Sequence, residues 1–205
     1  MTFFEFRSRF VSLAYFSTDH IYAAYPGFNR NNLGRWVNQG YLIRLRQGYY
    51  AFSEYRDKKD YVWYFANRIY KPSYISLHTA LSFYGIIPEA VIQITSVTTL
   101  KTAAFRNGFG DYSYKTVKDK LMFGYSLMEM EGGRRIMFAT PEKALIDLLY
   151  LYPFYNSERE LSELRLDESY METELNMEKL LEYASRISSR ALLRRIDTLK
   201  SVHNL

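Results

Sequence analysis

The 205-residue chain contains no cysteine. Disulfides and thiolate metal sites are therefore excluded outright. It also lacks any apolar run of bilayer length. The most apolar late segment, ALIDLLYLYPF, is interrupted by Asp147 and Pro153 and falls well short of the roughly 20 residues a spanning helix needs. The opening residues, MTFFEFRSRF, place Glu5, Arg7 and Arg9 inside an apolar pattern, which is not the h-region of a secretory signal. The expectation is a reducing cytoplasm and no membrane partner. The three histidines, His20, His78 and His203, have no HxxxH spacing, so neither a zinc site nor a cofactor is expected. RNGFGDYSY holds Gly108 and Gly110, but no GK[ST] follows and no GxGxxG occurs. It reads as a loop between strands. There is no G-S motif with paired carboxylates for two metals, and no Ser–His–Asp set. The chain is not read as an enzyme; turnover by purified protein would reverse that.

What is present is an aromatic-rich composition. Aromatics make 18% of the chain, chiefly through 20 Tyr, with hydrophobic residues at 48% and charged residues at 24%. These are the values of a soluble globular protein, not of a disordered one. The net charge of +5 is uneven. Residues 1–60 carry 9 basic and 5 acidic groups, as do residues 61–140, whereas residues 141–205 carry 9 and 12. A basic front points first to a polyanionic partner; a chance imbalance of this size is the alternative.

Periodicity gives the organisation. Phe3, Phe6, Phe10, Leu13 and Ala14 form a helical stripe. A short helix through Tyr25 is capped by Ser17 or Thr18 and stopped by Pro26-Gly27. A third helix starts at Asn29 as N-cap, turns Leu33, Trp36 and Val37 inward, and ends at Gly40. From Tyr41 the period becomes two, with Tyr41, Ile43 and Leu45 on one face and Leu42, Arg44 and Arg46 on the other. Gln47-Gly48 turns the hairpin. The charged segment Ser53–Asp60 then reads as a boundary. Beyond it, DYVWYFANRIY and SLHTALSFYG read as helices, the second with Ser76 as cap and Gly85 as stop. AVIQITSVTT, GDYSYKTVK and LMFGYSLMEM read as strands, with a hairpin turning at Gly132-Gly133. Thr140 and Pro141 open another helix. The charged tail from Asn176 is amphipathic through Leu180, Leu181, Ala184, Ile187, Ala191, Leu192 and Ile196. It packs on its own domain or forms a dimer surface; the first is preferred. The fold class is α+β: an N-terminal winged helix-turn-helix over 1–55, then a mixed α+β domain over 61–205 with a helical C-terminal tail.

The stretch NRNNLGRWVNQGYLIRLRQGYYAF, residues 29–52, holds four arginines and no carboxylate. Three helices followed by a hairpin is the order of a winged helix-turn-helix, whose third helix enters the major groove. A rotation of 100° per residue points Asn31, Arg35 and Asn38 outward. Arg30 and Asn32 flank the helix start. Arginine matches guanine edges and asparagine matches adenine edges. Arg44 and Arg46 share one wing face, ready for phosphates, with Gln47 at the tip. The expected partner is double-stranded DNA. The alternatives are a solvated basic face and a winged fold used for protein contact. Arg134 and Arg135, after Gly132-Gly133, are either phosphate contacts or exposed edge charges.

The hairpin residues Gly40, Leu42, Arg44, Arg46, Gly48 and Tyr50 resemble the N-terminal module of the AbiEi family, antitoxins of type IV toxin–antitoxin systems. YISLHTALSFYGIIPE, through Ser76, Ala80, Leu81, Gly85, Ile86, Ile87 and Pro88, and ATPEKALIDLLY resemble two later blocks of that family. The likeness spans about Thr18–Tyr152 in three pieces and leaves the tail unmatched. It implies repression of the chain's own operon, usually on inverted repeats. It also implies neutralisation of a nucleotidyltransferase-like toxin without a stable complex. The alternative is a stand-alone regulator whose second domain binds a ligand or protein partner.

Overall fold

The structure, a computed structural model, describes residues 1–58, 60–130 and 133–203. Helix α1 (Phe3–Phe10) opens with a capping box between Thr2 and Glu5, which satisfies two free donors of its first turn. Phe6 and Phe10 are buried. Leu13 was expected on the same stripe. It is exposed, because the chain tightens into a single 3-10 turn over Val11–Leu13. Strand β1 (Tyr15–Ser17) follows. Ser17 caps α2 (Thr18–Ala24) by accepting from His20 N.

Helix α3 (Asn31–Asn38) buries Leu33 and Trp36. Asn29 was expected as its N-cap. Its Oδ1 accepts from Asn31 N at 3.0 Å, but Arg30 occupies the cap position. Gly40 ends the helix with φ +77°, a conformation that favours glycine. Strands β2 (Leu42–Arg46) and β3 (Tyr49–Phe52) form the hairpin, and β1 completes an antiparallel sheet of order β1-β3-β2. The rings of Phe6, Phe16, Phe28, Trp36 and Phe52 interlock beneath it, with Phe6 and Trp36 centroids 4.8 Å apart. Trp36 is 1% exposed, so truncating it costs about 3–5 kcal/mol.

The segment after Phe52 does not begin as a loose linker. Tyr55 is buried and its hydroxyl donates to Val11 O at 2.7 Å, while Arg7 pairs with Glu54. Then come α4 (Tyr61–Ile69), β4 (Ser73–Ile75), α5 (Leu77–Phe83), β5 (Ile94–Thr98), β6 (Ala103–Asn107), β7 (Gly110–Thr116), β8 (Tyr125–Glu129) and β9 (Arg135–Ala139). The second sheet has the order β6-β7-β5-β4-β9-β8. It is mixed, since β4–β9 and β5–β7 run parallel. The expected turn at Gly132 lies outside the described residues, but β8 and β9 do pair as a hairpin.

Thr140 caps α6 (Pro141–Leu151) as expected. Helices α7 (Glu158–Ser162), α8 (Glu168–Thr173), α9 (Met177–Ile187) and α10 (Arg190–His203) complete the chain. The architecture is therefore mixed α+β with a helical C-terminus. The tail packs back on α6, burying Leu180, Ala184, Ile187, Leu192 and Ile196. It is two helices rather than one, broken where Ser188 takes left-handed φ +55°. Leu181 and Ala191, expected on the buried face, are exposed. No helix among the described residues is long and apolar enough to cross a membrane.

A candidate nucleic-acid interface

The fixed side of α3 determines its free side. With Leu33 and Trp36 in the aromatic core, Asn31, Gly34, Arg35 and Asn38 are exposed and Asn32 is half-exposed. A Cβ placed on Gly34 would meet nothing within 4 Å, so this face is open. Arg35 Nη2 donates to Asn32 Oδ1 at 3.1 Å, one turn earlier. That bond holds the guanidinium along the helix surface while leaving it four further N–H donors. Arg30, Asn29 and Arg44 are also exposed. Among the described residues, none of Arg30, Arg35 and Arg44 pairs with a carboxylate. The face is a set of amide and guanidinium groups with no opposing acid. Such a set can recognise base edges and phosphates.

The hairpin differs from its expected form. Strict alternation predicts Arg44 and Arg46 on one face. Instead, the pairing of β2 with β3 slips between Arg44 and Arg46, so Leu45 has no partner across the ladder. A bulge of this kind re-aims the side chain that follows it. Arg44 stays exposed. Arg46 turns towards the second sheet, and its guanidinium carbon sits 4.4 Å from the Tyr49 ring centroid, with Tyr70 at 5.7 Å and Phe105 at 5.8 Å. Leu42, Ile43 and Leu45 are all buried and Tyr41 is exposed, because the hairpin is covered on both faces. Asn107 Nδ2 donates to Leu45 O at 3.0 Å. A Cβ on Gly108 would lie 3.2 Å from Ile43 and 3.1 Å from Arg56, so a larger residue there would push both side chains aside. Gln47 remains exposed at the tip.

The loop expected in RNGFGDYSY is a turn of two residues, Gly108-Phe109, between β6 and β7. Other expectations change. Arg134 is neither a free phosphate contact nor an exposed edge charge. Its Nη2 donates to Ser12 O at 2.6 Å and its Nε to Tyr61 Oη at 3.1 Å, tying the β8–β9 hairpin to the turn after α1 and to the start of α4. Arg135 is exposed. Ser76 stands at the cap of α5, yet its hydroxyl makes no capping bond and donates to Asp147 instead.

The ATPEKALIDLLY block is buried rather than exposed. Glu142, Lys143 and Asp147 lie inside the fold. Lys143 Nζ pairs with Asp147 Oδ1, and Tyr74 and Ser76 each donate to Asp147 Oδ2 at 2.8 Å. Burial drives the Asp147 carboxyl above its ordinary range, opposed by Lys143, Ser76 and Tyr74. Glu142 meets Lys179 Nζ at 3.0 Å. Burial works to raise its pKa, but the bonds from Lys179 and Thr140 outweigh that and hold it low. These charges are paired and closed off from solvent, which is a packing role. Among the described residues, no three His, Asp or Glu side chains are grouped to hold a metal.

Sequence reasoning missed a cleft of about 280 Å³ between the hairpin and the second sheet, where Arg46, Arg68 and Lys71 meet Tyr15, Tyr49 and Tyr70. The only local signal was the run Arg68-Ile69-Tyr70-Lys71, which sets two cations around one aromatic residue. No family model matches the chain, and no curated protein matches it.

Proposed function

We propose that the chain is a sequence-specific DNA-binding protein that represses its own operon. The observation that carries this reading is the outer face of α3, where Asn31, Arg35 and Asn38 are exposed without an opposing carboxylate. The aromatic core behind Trp36 keeps that face rigid. The element order, three helices and a hairpin with β1 on the same sheet, fits a winged helix-turn-helix in which α3 enters the major groove. In this reading Asn31, Arg35 and Asn38 read bases, while Arg30, Asn32, Arg44 and Gln47 position the protein on the backbone. Arg46 is the exception, since it faces the second sheet.

A reporter fused to the DNA upstream of this gene tests autorepression. Supplying the chain lowers reporter output, and supplying the Arg35→Ala variant does not. Equal output with and without the wild-type chain overturns the reading.

The second part of the proposal is the antitoxin role in a type IV system, where the partner is a nucleotidyltransferase-like toxin. It is supported by the three sequence blocks that resemble the AbiEi family, and by those alone. Co-expression with the product of an adjacent toxin gene tests it: growth is restored if the chain is an antitoxin. Continued toxicity leaves a stand-alone regulator whose second sheet serves another partner.

A further inference from the structure

We infer that the cleft between the hairpin and the second sheet is a binding site for a phosphate group. Two segments that are distant in sequence bring cations to it: Arg46 at the end of β2, and Arg68 in the last turn of α4 with Lys71 just beyond. None of the three pairs with a carboxylate among the described residues. The one acid lining the cleft, Asp19, is exposed and makes no ion pair among them. Lys143 and Lys179, by contrast, each meet a carboxylate of the fold. Here it places like charges together, and Lys71 is held below its ordinary pKa by burial and then by the nearby Arg68.

Two further facts describe the lining. The Nε atoms of Arg46 and Arg68 are sealed from solvent, so any ligand in the cleft meets the terminal N–H groups of the two guanidiniums and Lys71 Nζ. The walls are aromatic: Arg46 rests on Tyr49, Arg68 lies 4.8 Å from the Tyr64 ring, and Lys71 Nζ is 3.5 Å from Tyr15 Oη. Guanidinium groups held on rings are fixed in direction, and a phosphate with its several acceptor oxygens suits them. The volume lies just below the usual range for small-molecule sites. A phosphate monoester of about nucleotide size fits that chemistry. A phosphate bound here would bridge the hairpin to the second sheet.

The phosphate comes either from a free phosphorylated small molecule or from the backbone of bound DNA. The site stands whether or not α3 reads an operator, since its cations are not those of the α3 face. The test uses the full chain at constant ionic strength. Calorimetric titrations are run with inorganic phosphate, adenosine 5′-monophosphate and adenosine, and duplex DNA is titrated over a salt series. Lys71→Gln and Arg68→Gln are compared with wild type, each checked for an unchanged melting temperature. Arg68 also donates to Arg135 O, so Lys71→Gln carries the test alone if the Arg68 variant melts early.

The expected result is saturable binding of phosphate and the nucleotide, none of adenosine, and a loss of about tenfold in each variant. An unchanged duplex salt slope in Lys71→Gln assigns the site to a free ligand. If neither small probe binds but the duplex slope falls by about one in Lys71→Gln, the site holds a DNA phosphate. The inference is overturned if no small probe binds and the slope is unchanged, or if the variants bind the probes like wild type.

Discussion

The molecule treats its cations in two ways. In the back half, Lys143 is fully buried against Asp147, and Lys179 reaches the buried Glu142. In the front half, Arg30, Arg35 and Arg44 stand in solvent, and Arg46, Arg68 and Lys71 line a cleft; none of the six has a carboxylate partner among the described residues. A charge completed inside the fold has no capacity left for a ligand, and its removal damages folding. A charge without a partner contributes little to folding and is available to an external anion. On this basis the two sets should separate cleanly by what their loss affects: stability for the back, binding for the front.

The largest effect is expected at the back. Lys143→Met leaves Asp147 buried without its cation. It should cost about 3–5 kcal/mol of stability, seen as a lower urea midpoint with an unchanged slope. Adding Asp147→Leu should recover part of that loss: the unpaired charge is gone, but the Tyr74 and Ser76 hydroxyls lose their acceptor. A single-variant loss below about 1 kcal/mol would place Lys143 among ordinary surface-like positions and break the contrast.

At the front, Arg35→Ala should leave the urea midpoint unchanged. Operator affinity should fall by roughly 1–3 kcal/mol, with relaxed preference at one base position. Arg44→Ala is a smaller change. It should weaken all duplexes alike and lower the salt slope by about one. If Arg44→Ala destabilised the fold while leaving the slope intact, the front would not be a phosphate-facing surface.

Acid sharpens the same comparison. Glu142 has a folded-state pKa below its ordinary value near 4.5. The stability this contributes is present above that value and is lost as pH falls through the folded-state pKa. Between about pH 5 and pH 3, wild type should therefore lose stability more steeply than Glu142→Gln. Thermal melts over that range check it, and parallel curves would show that the Lys179 bond does not hold the carboxylate.

Much of this was legible because it is local. The inward set Leu33 and Trp36 fixes which residues of α3 face out, and Gly40, Thr140 and Pro141 mark ends and starts through their own backbone preferences. What failed was set at long range. Arg46 follows the alternation in sequence, but the bulge at Leu45 appears only when β2 meets β3 and Asn107 takes the Leu45 carbonyl. Ser76 looks like a cap because the sequence does not show Asp147, 71 residues later, competing for its hydroxyl. Strands β1 and β4 have three residues each, too short for a period to register. The cleft gathers residues from positions 15 to 100, and no window of sequence contains them together.

The central claim is that the α3 face addresses DNA. The most direct test is fluorescence anisotropy of the full chain with duplex DNA from immediately upstream of its gene, across a salt series, against a scrambled duplex of equal length. The account predicts tight binding of the upstream duplex that weakens steeply with salt and exceeds the scrambled control at every salt concentration. Equal, weak binding of both duplexes would contradict it.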